Sequence, residues 1–138
     1  MNQNYGLIYS DNAFPDLDKS LAVENLSNCA SMVMKNCTVR NNRARSILIS
    51  TNKPILIEGN YFDSMMAGIL IAGDANKWCE SGNVSDVVIR DNTFVNIGKG
   101  GGKPQSVLQI SPEIAPEYRG KDYYHGRIVF ENNTVRTF

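Results

Sequence analysis

At 138 residues the chain is long enough for one domain with a core of its own and too short for two. Its 14 basic residues balance 14 acidic ones, so no global field draws it to nucleic acid or to an anionic membrane surface, and no apolar run approaches the ~20 residues of a membrane span. Three cysteines without paired spacing (Cys29, Cys37, Cys79) argue against a disulfide framework or zinc ribbon, and one histidine, His125, argues against histidine metal sites and a Ser-His-Asp triad. Free, partly buried thiols, no metal site and no cofactor are the expectations.

The opening MNQNYGLIYSDNAF has neither the basic segment nor the apolar block of a signal peptide. Residues 1–30 are expected to form an irregular or capping segment, with Asp16 to Leu26 readable either as a short helix or as an irregular first coil. From residue 31 onward a repeat takes over. Val33 to Val39 (VMKNCTV), Leu56 to Phe62 (LIEGNYF), Val88 to Phe94 (VIRDNTF) and Val129 to Val135 (VFENNTV) align without gaps. Each reads apolar, apolar, charged, turn-former, Asn or Cys, Thr or Tyr, then Val or Phe. Successive starts lie 23, 32 and 41 residues apart. A constant unit with variable connections is what a solenoid tolerates, because insertions leave the core outline untouched.

A second strand follows each of the first three units: Ser46 to Ser50 (SILIS), Gly68 to Ala72 (GILIA) and Val107 to Ser111 (VLQIS). Alternation places Ile47, Ile49, Ile69, Ile71, Leu108 and Ile110 on one face, with Leu48, Leu70 and Gln109 on the other. The pattern predicts a right-handed parallel β-helix, pectate-lyase-like, of about four to five coils over residues 31–138. Coils stacked about 4.8 Å apart turn equivalent positions into ladders. Asn60, Asn92 and Asn133 share one rung position, with Cys37 as the departure, and inward asparagines at a tight bend are read as structural. A short solenoid exposes strand edges and coil faces, so a cap within residues 1–30 or self-association through the coil ends is expected.

Aligning the second strands puts Asn52, Asp74 and Glu113 at one register. Asp74 and Glu113 leave the same strand end on adjacent coils and open the longest insertions, residues 75–85 and 114–126, which read as walls of a cleft. Like charges one coil apart resist joint ionisation, the condition an acid–base pair needs; turn-capping carboxylates are the alternative. Trp78 offers an indole for stacking on a pyranose, Arg43 and Arg45 offer guanidinium forks for hydroxyls or a carboxylate, and Glu80 is a further candidate contact. Tyr118, Tyr123 and Tyr124 are candidates for a wall. Gly98 to Lys103 (GKGGGK) lacks the ending and following helix of a phosphate loop and is read as a plain loop.

Asn41 to Arg45 (NNRAR) with Ile47 to Ser50 (ILIS), Ala67 to Asp74 (AGILIAGD), Trp78 to Gly82 (WCESG) and Val84 to Phe94 (VSDVVIRDNTF) resemble bacterial exo-α-1,3-galactosidases of glycoside hydrolase family 110. The resemblance runs from about Val23 to Val135. It implies a central portion of a longer periplasmic or secreted β-helix enzyme. Such an enzyme removes terminal α-1,3-linked galactose, as in blood group B epitopes, with inversion and without a cofactor. By motif, Asp74 corresponds to the general acid and Glu113 to a base-side carboxylate; a second base-side acid is expected nearby and has no assigned position, the matching register holding Asn52. Two rival readings stay open. One is a non-catalytic carbohydrate-binding or structural solenoid. The other is a calcium-dependent polysaccharide lyase, which would want clustered acids and a basic catalytic residue.

Overall fold

The computed structural model describes residues 9–13, 23–73, 82–100, 105–121 and 123–137. Eleven strands run in chain order: β1 (Met32–Lys35), β2 (Thr38–Asn42), β3 (Ile47–Ile49), β4 (Ile55–Glu58), β5 (Tyr61–Ser64), β6 (Ile69–Gly73), β7 (Asp86–Arg90), β8 (Thr93–Val95), β9 (Leu108–Pro112), β10 (Arg127–Glu131) and β11 (Thr134–Arg136). They form three parallel sheets, β1-β4-β7-β10, β2-β5-β8-β11 and β3-β6-β9, so each circuit of the chain adds one strand to each sheet. This is the right-handed parallel β-helix the repeat predicts.

The register follows the repeat residue by residue. Val33 pairs with Leu56, Leu56 with Val88 and Val88 with Val129; Ile47 pairs with Ile69 and Ile69 with Leu108. Residues with alternating exposure line the interior as columns. Ile57 and Ile89, Phe62 and Phe94, and Ile69 and Ile71 are fully buried, and the Phe62 and Phe94 rings stack with centroids 5.0 Å apart. Leu48, Leu70 and Gln109 face outward but are half-covered. On the outer face of the first sheet Lys35, Glu58, Arg90 and Glu131 form a row of alternating charge. There Glu58 sits 2.9 Å from Lys35 Nζ and 2.6 Å from Arg90 Nε. Hydrogen bonds from Lys35 and then Arg90 hold its carboxyl below the ordinary value.

The bend between the first and second sheets needs a left-handed residue and a buried amide. Asn36, Gly59, Asp91 and Asn132, the turn-formers of the four units, all have φ between 52° and 67°. Such a backbone suits Gly, Asn and Asp. The next residue supplies the amide. Asn60 Oδ1 accepts the Cys37 backbone amide at 2.9 Å, Asn92 Oδ1 that of Asn60 at 2.9 Å, and Asn133 Oδ1 that of Asn92 at 3.0 Å. Their Nδ2 groups donate to the carbonyls of Met34, Ile57 and Ile89, each on the preceding coil. Every asparagine therefore serves the coil before it. Cys37 stands on the first described coil, which has no preceding strand among the described residues, and this explains the departure there.

The ends differ from the middle. Ile110 faces the same way as Ile71, yet it is 46% exposed against 0%, because among the described residues no further strand of the third sheet covers it. Residues 23–30, the largest described part of the expected capping segment, make a single 3-10 turn, Leu26–Asn28, capped by the Asn25 side chain. Of the stretch from Asp16 to Leu26, residues 16–22 lie outside the described residues. Cys29 is half-buried and Cys37 exposed, both as free thiols; Cys79 lies outside the described residues. Among the described residues no helix is long and apolar enough to cross a membrane.

Replacing Asn92 by Ala strands the Asn60 amide in the interior and removes a bond to the Ile57 carbonyl, and should lower unfolding free energy by about 2–4 kcal/mol. Cys37→Asn, at a rung with nothing to serve, should change it by less than about 0.5 kcal/mol. Urea unfolding of both variants measures the contrast.

Candidate functional site

The third sheet carries the candidate site at its trailing edge. β6 and β9 stay paired to their ends, Gly73 opposite Pro112, and one residue later the Glu113 amide donates to the Gly73 carbonyl at 2.8 Å. Glu113 thus leaves the sheet directly beside the residue that precedes Asp74, one coil away. Asp74, Trp78 and Glu80 lie outside the described residues. Glu113 is exposed and lines a pocket of about 440 Å³ with Ser111, Pro112, Ile114, Ala115 and Arg119. The chain turns back there through a 3-10 turn, Pro116–Tyr118, and Arg119 Nε donates to the Ile114 carbonyl at 3.1 Å. That bond holds a guanidinium at the rim beside a carboxylate. Sequence reasoning missed Arg119, since a lone arginine inside an insertion carries no repeat signal.

The predicted arginines sit elsewhere. Arg43 and Arg45 lie in the bend leading into β3, where Asn42 Nδ2 donates to the Arg45 carbonyl at 2.8 Å. They stand at the leading edge of the third sheet, whereas Glu113 stands at its trailing edge. Counting along the shared register at about 3.3 Å per residue separates Arg45 from the level of Glu113 by roughly 20 Å. The fold does not bring these arginines to Glu113. Asn52, where a further acid was sought, donates through Nδ2 to Asn83 Oδ1 at 2.8 Å. It thereby braces the chain where the first insertion returns.

Both ends of that first insertion meet the last residues of the second. The Tyr124 ring occupies the space that a Cβ on Gly73 would need, and the Val84 amide donates to His125 Nδ1 at 3.2 Å. The Tyr124 and His125 rings meet edge to face at 4.9 Å. Tyr124 was foreseen as part of a wall; His125 was noted only for the metal sites and triads that its solitude excludes. A glycine closing a strand was the available clue to a close approach. Burial pushes the His125 imidazole below its ordinary value of 6.5.

The family model described as right handed beta helix region matches residues 1–83. Alpha-1,3-galactosidase B of Akkermansia muciniphila is 45% identical over 119 residues, covering 85% of this chain and 15% of that protein. Alpha-1,3-galactosidase B of Bacteroides thetaiotaomicron is 39% identical over 124 residues, covering 88% and 20%. Alpha-1,3-galactosidase A of Bacteroides fragilis is 37% identical over 119 residues, covering 84% and 19%. The chain thus spans a fifth or less of the length of these relatives.

The His125 environment predicts a pH effect on stability. A histidine whose folded value is depressed favours the neutral form in the fold. Its contribution is fully present above 6.5 and is lost as pH falls through 6.5 toward the folded value. The urea midpoint of the protein should therefore drop more between pH 7.5 and pH 5 than that of His125→Asn, with paired denaturation curves as the measurement.

Proposed function

Because the chain belongs to the right-handed β-helix family and resembles α-1,3-galactosidases across this region, we propose that it forms part of the catalytic β-helix of an inverting glycoside hydrolase. The proposed substrate is terminal α-1,3-linked galactose on glycans such as blood group B type epitopes. One observation carries the reading: Glu113 is exposed in a pocket and is hydrogen-bonded through its amide to Gly73, the neighbour of Asp74, on the adjacent coil. Two carboxylates springing from neighbouring coils at one strand end suit single-displacement hydrolysis.

In that mechanism Asp74 protonates the departing glycosidic oxygen while Glu113 takes a proton from water attacking the opposite face of the sugar. One inversion turns an α-linkage into β-galactose. Carboxyls in inverting enzymes stand about 6.5–9.5 Å apart, more than the ~4.8 Å between coils, so the two side chains diverge around the sugar and its water. Arg119 and Ser111 at the Glu113 pocket are suited to sugar hydroxyls, and Trp78 and Glu80 complete the proposed contacts from the first insertion. Asn52 supports a second reading. The register matching Asp74 and Glu113 holds a carboxamide bound to Asn83, which suits a solenoid that binds α-galactosyl glycans without cleaving them.

Kinetics on two substrates test the assignment. Asp74→Asn should cut kcat/KM for an α-1,3-galactosyl disaccharide by about 100-fold or more, and far less for an activated aryl α-galactoside whose leaving group needs little protonation. Glu113→Gln should slow both substrates by about 100-fold, since water must be activated in either case. Unchanged turnover in both variants would refute the pair. Binding of the disaccharide without galactose release by the parent chain would select the second reading.

A further inference from the structure

The two insertions of the third sheet are joined at their roots. The second insertion returns to the solenoid through Tyr124, His125 and Gly126, and this tripeptide meets both ends of the first. At the departing end, the Tyr124 ring lies where any side chain on Gly73 would begin. At the returning end, Val84 is fully buried; its amide donates to His125 Nδ1 at 3.2 Å, and its carbonyl accepts from the Gly126 amide at 2.8 Å. The edge-to-face contact of the Tyr124 and His125 rings makes the two grips one piece.

The imidazole has a specific state in this arrangement. An Nδ1 that accepts an amide carries no proton, so the neutral ring bears its hydrogen on Nε2. Nε2 is buried and has no hydrogen-bond partner among the described residues. An apolar side chain would avoid leaving that donor unsatisfied, but it would leave the buried Val84 amide without an acceptor. What His125 supplies there is Nδ1.

We propose that His125 is a positioning residue of the candidate site. Through Nδ1 it fixes the return of the first insertion at Val84, while Tyr124 fixes its departure at Gly73. The places of Gly73, the residue before Asp74, and of Val84 are thereby set by the insertion that begins at Glu113. The catalytic consequence rests on the galactosidase reading; the structural one does not.

Two substitutions in the full chain separate acceptor from bulk. His125→Asn keeps an acceptor near the Nδ1 position, and His125→Leu keeps volume and removes it. Amide exchange followed by NMR should rise at Val84 by about 10-fold or more in the Leu variant, with Ile89 in the core unchanged, and should stay within about 3-fold of the parent in the Asn variant. Turnover of the α-1,3-galactosyl disaccharide should fall by about 10-fold in kcat for Leu with KM little changed, should fall less on the activated aryl galactoside, and should recover in Asn. Val84 exchange that is equal in parent and Leu, or equally raised in Asn and Leu, overturns the proposal. Should the Leu variant also loosen Ile89, Gly73→Ala takes its place. Displacing Tyr124 from the other grip should raise exchange at Val84 while His125 itself is intact, and no rise there overturns the proposal. If the parent chain releases no galactose from the disaccharide, the galactosidase reading falls, and Val84 exchange still decides the role of His125.

Discussion

A buried carboxamide on each coil completes the bend of the coil before it, and the rest of the molecule depends on that register. In a parallel solenoid each coil is covered only by the coils above and below it. A slip of one residue would turn the Ile57 and Ile89 column outward and bring the charged row in. The column from Asn60 through Asn92 to Asn133 opposes such a slip, because each Oδ1 and Nδ2 must meet one amide and one carbonyl on the neighbouring coil. The alternating row of Lys35, Glu58 and Arg90 reinforces the same register from outside, at exposed positions where ion pairs contribute little stability.

Locking the register at one bend frees the connections elsewhere. The spacings between units grow along the chain, yet the strands stay paired, because the added residues fall between strands, in 74–85 and 113–126 after the third sheet and in 96–107 between the second and the third. Two such excursions begin one coil apart at the trailing edge of β6 and β9. Glu113 and Gly73, the residue before Asp74, are therefore held one coil apart by paired strands. Tyr124 and His125 then tie the root of one excursion to the other. Asn52 and Asn83 brace the returning side.

Much of this was legible in the residues. The four units, the inward isoleucines and the asparagine rung repeat position by position, so alignment alone predicts which residues pair. Features that occur once were harder to read. Alignment assigns Arg43 and Arg45 to a neighbouring coil, but it does not express that residues before a strand and residues after it stand at opposite edges of the sheet. Ile110 reads as interior from its pattern and is exposed by its place on an outer coil. His125 and Arg119 act through single contacts inside an insertion, where no period marks them, and the close packing of Tyr124 on Gly73 was signalled only by the glycine. The departure at Cys37 looked like a lapse in the repeat; among the described residues it falls on the first coil of the ladder.

The account turns on whether the platform performs a single displacement. Proton NMR of the anomeric region during hydrolysis of a terminal α-1,3-galactosyl disaccharide, recorded before mutarotation equilibrates the product, tests this most directly. The account predicts that β-galactose appears first and the α-anomer grows in later. Initial release of α-galactose, or no galactose at all, would contradict it.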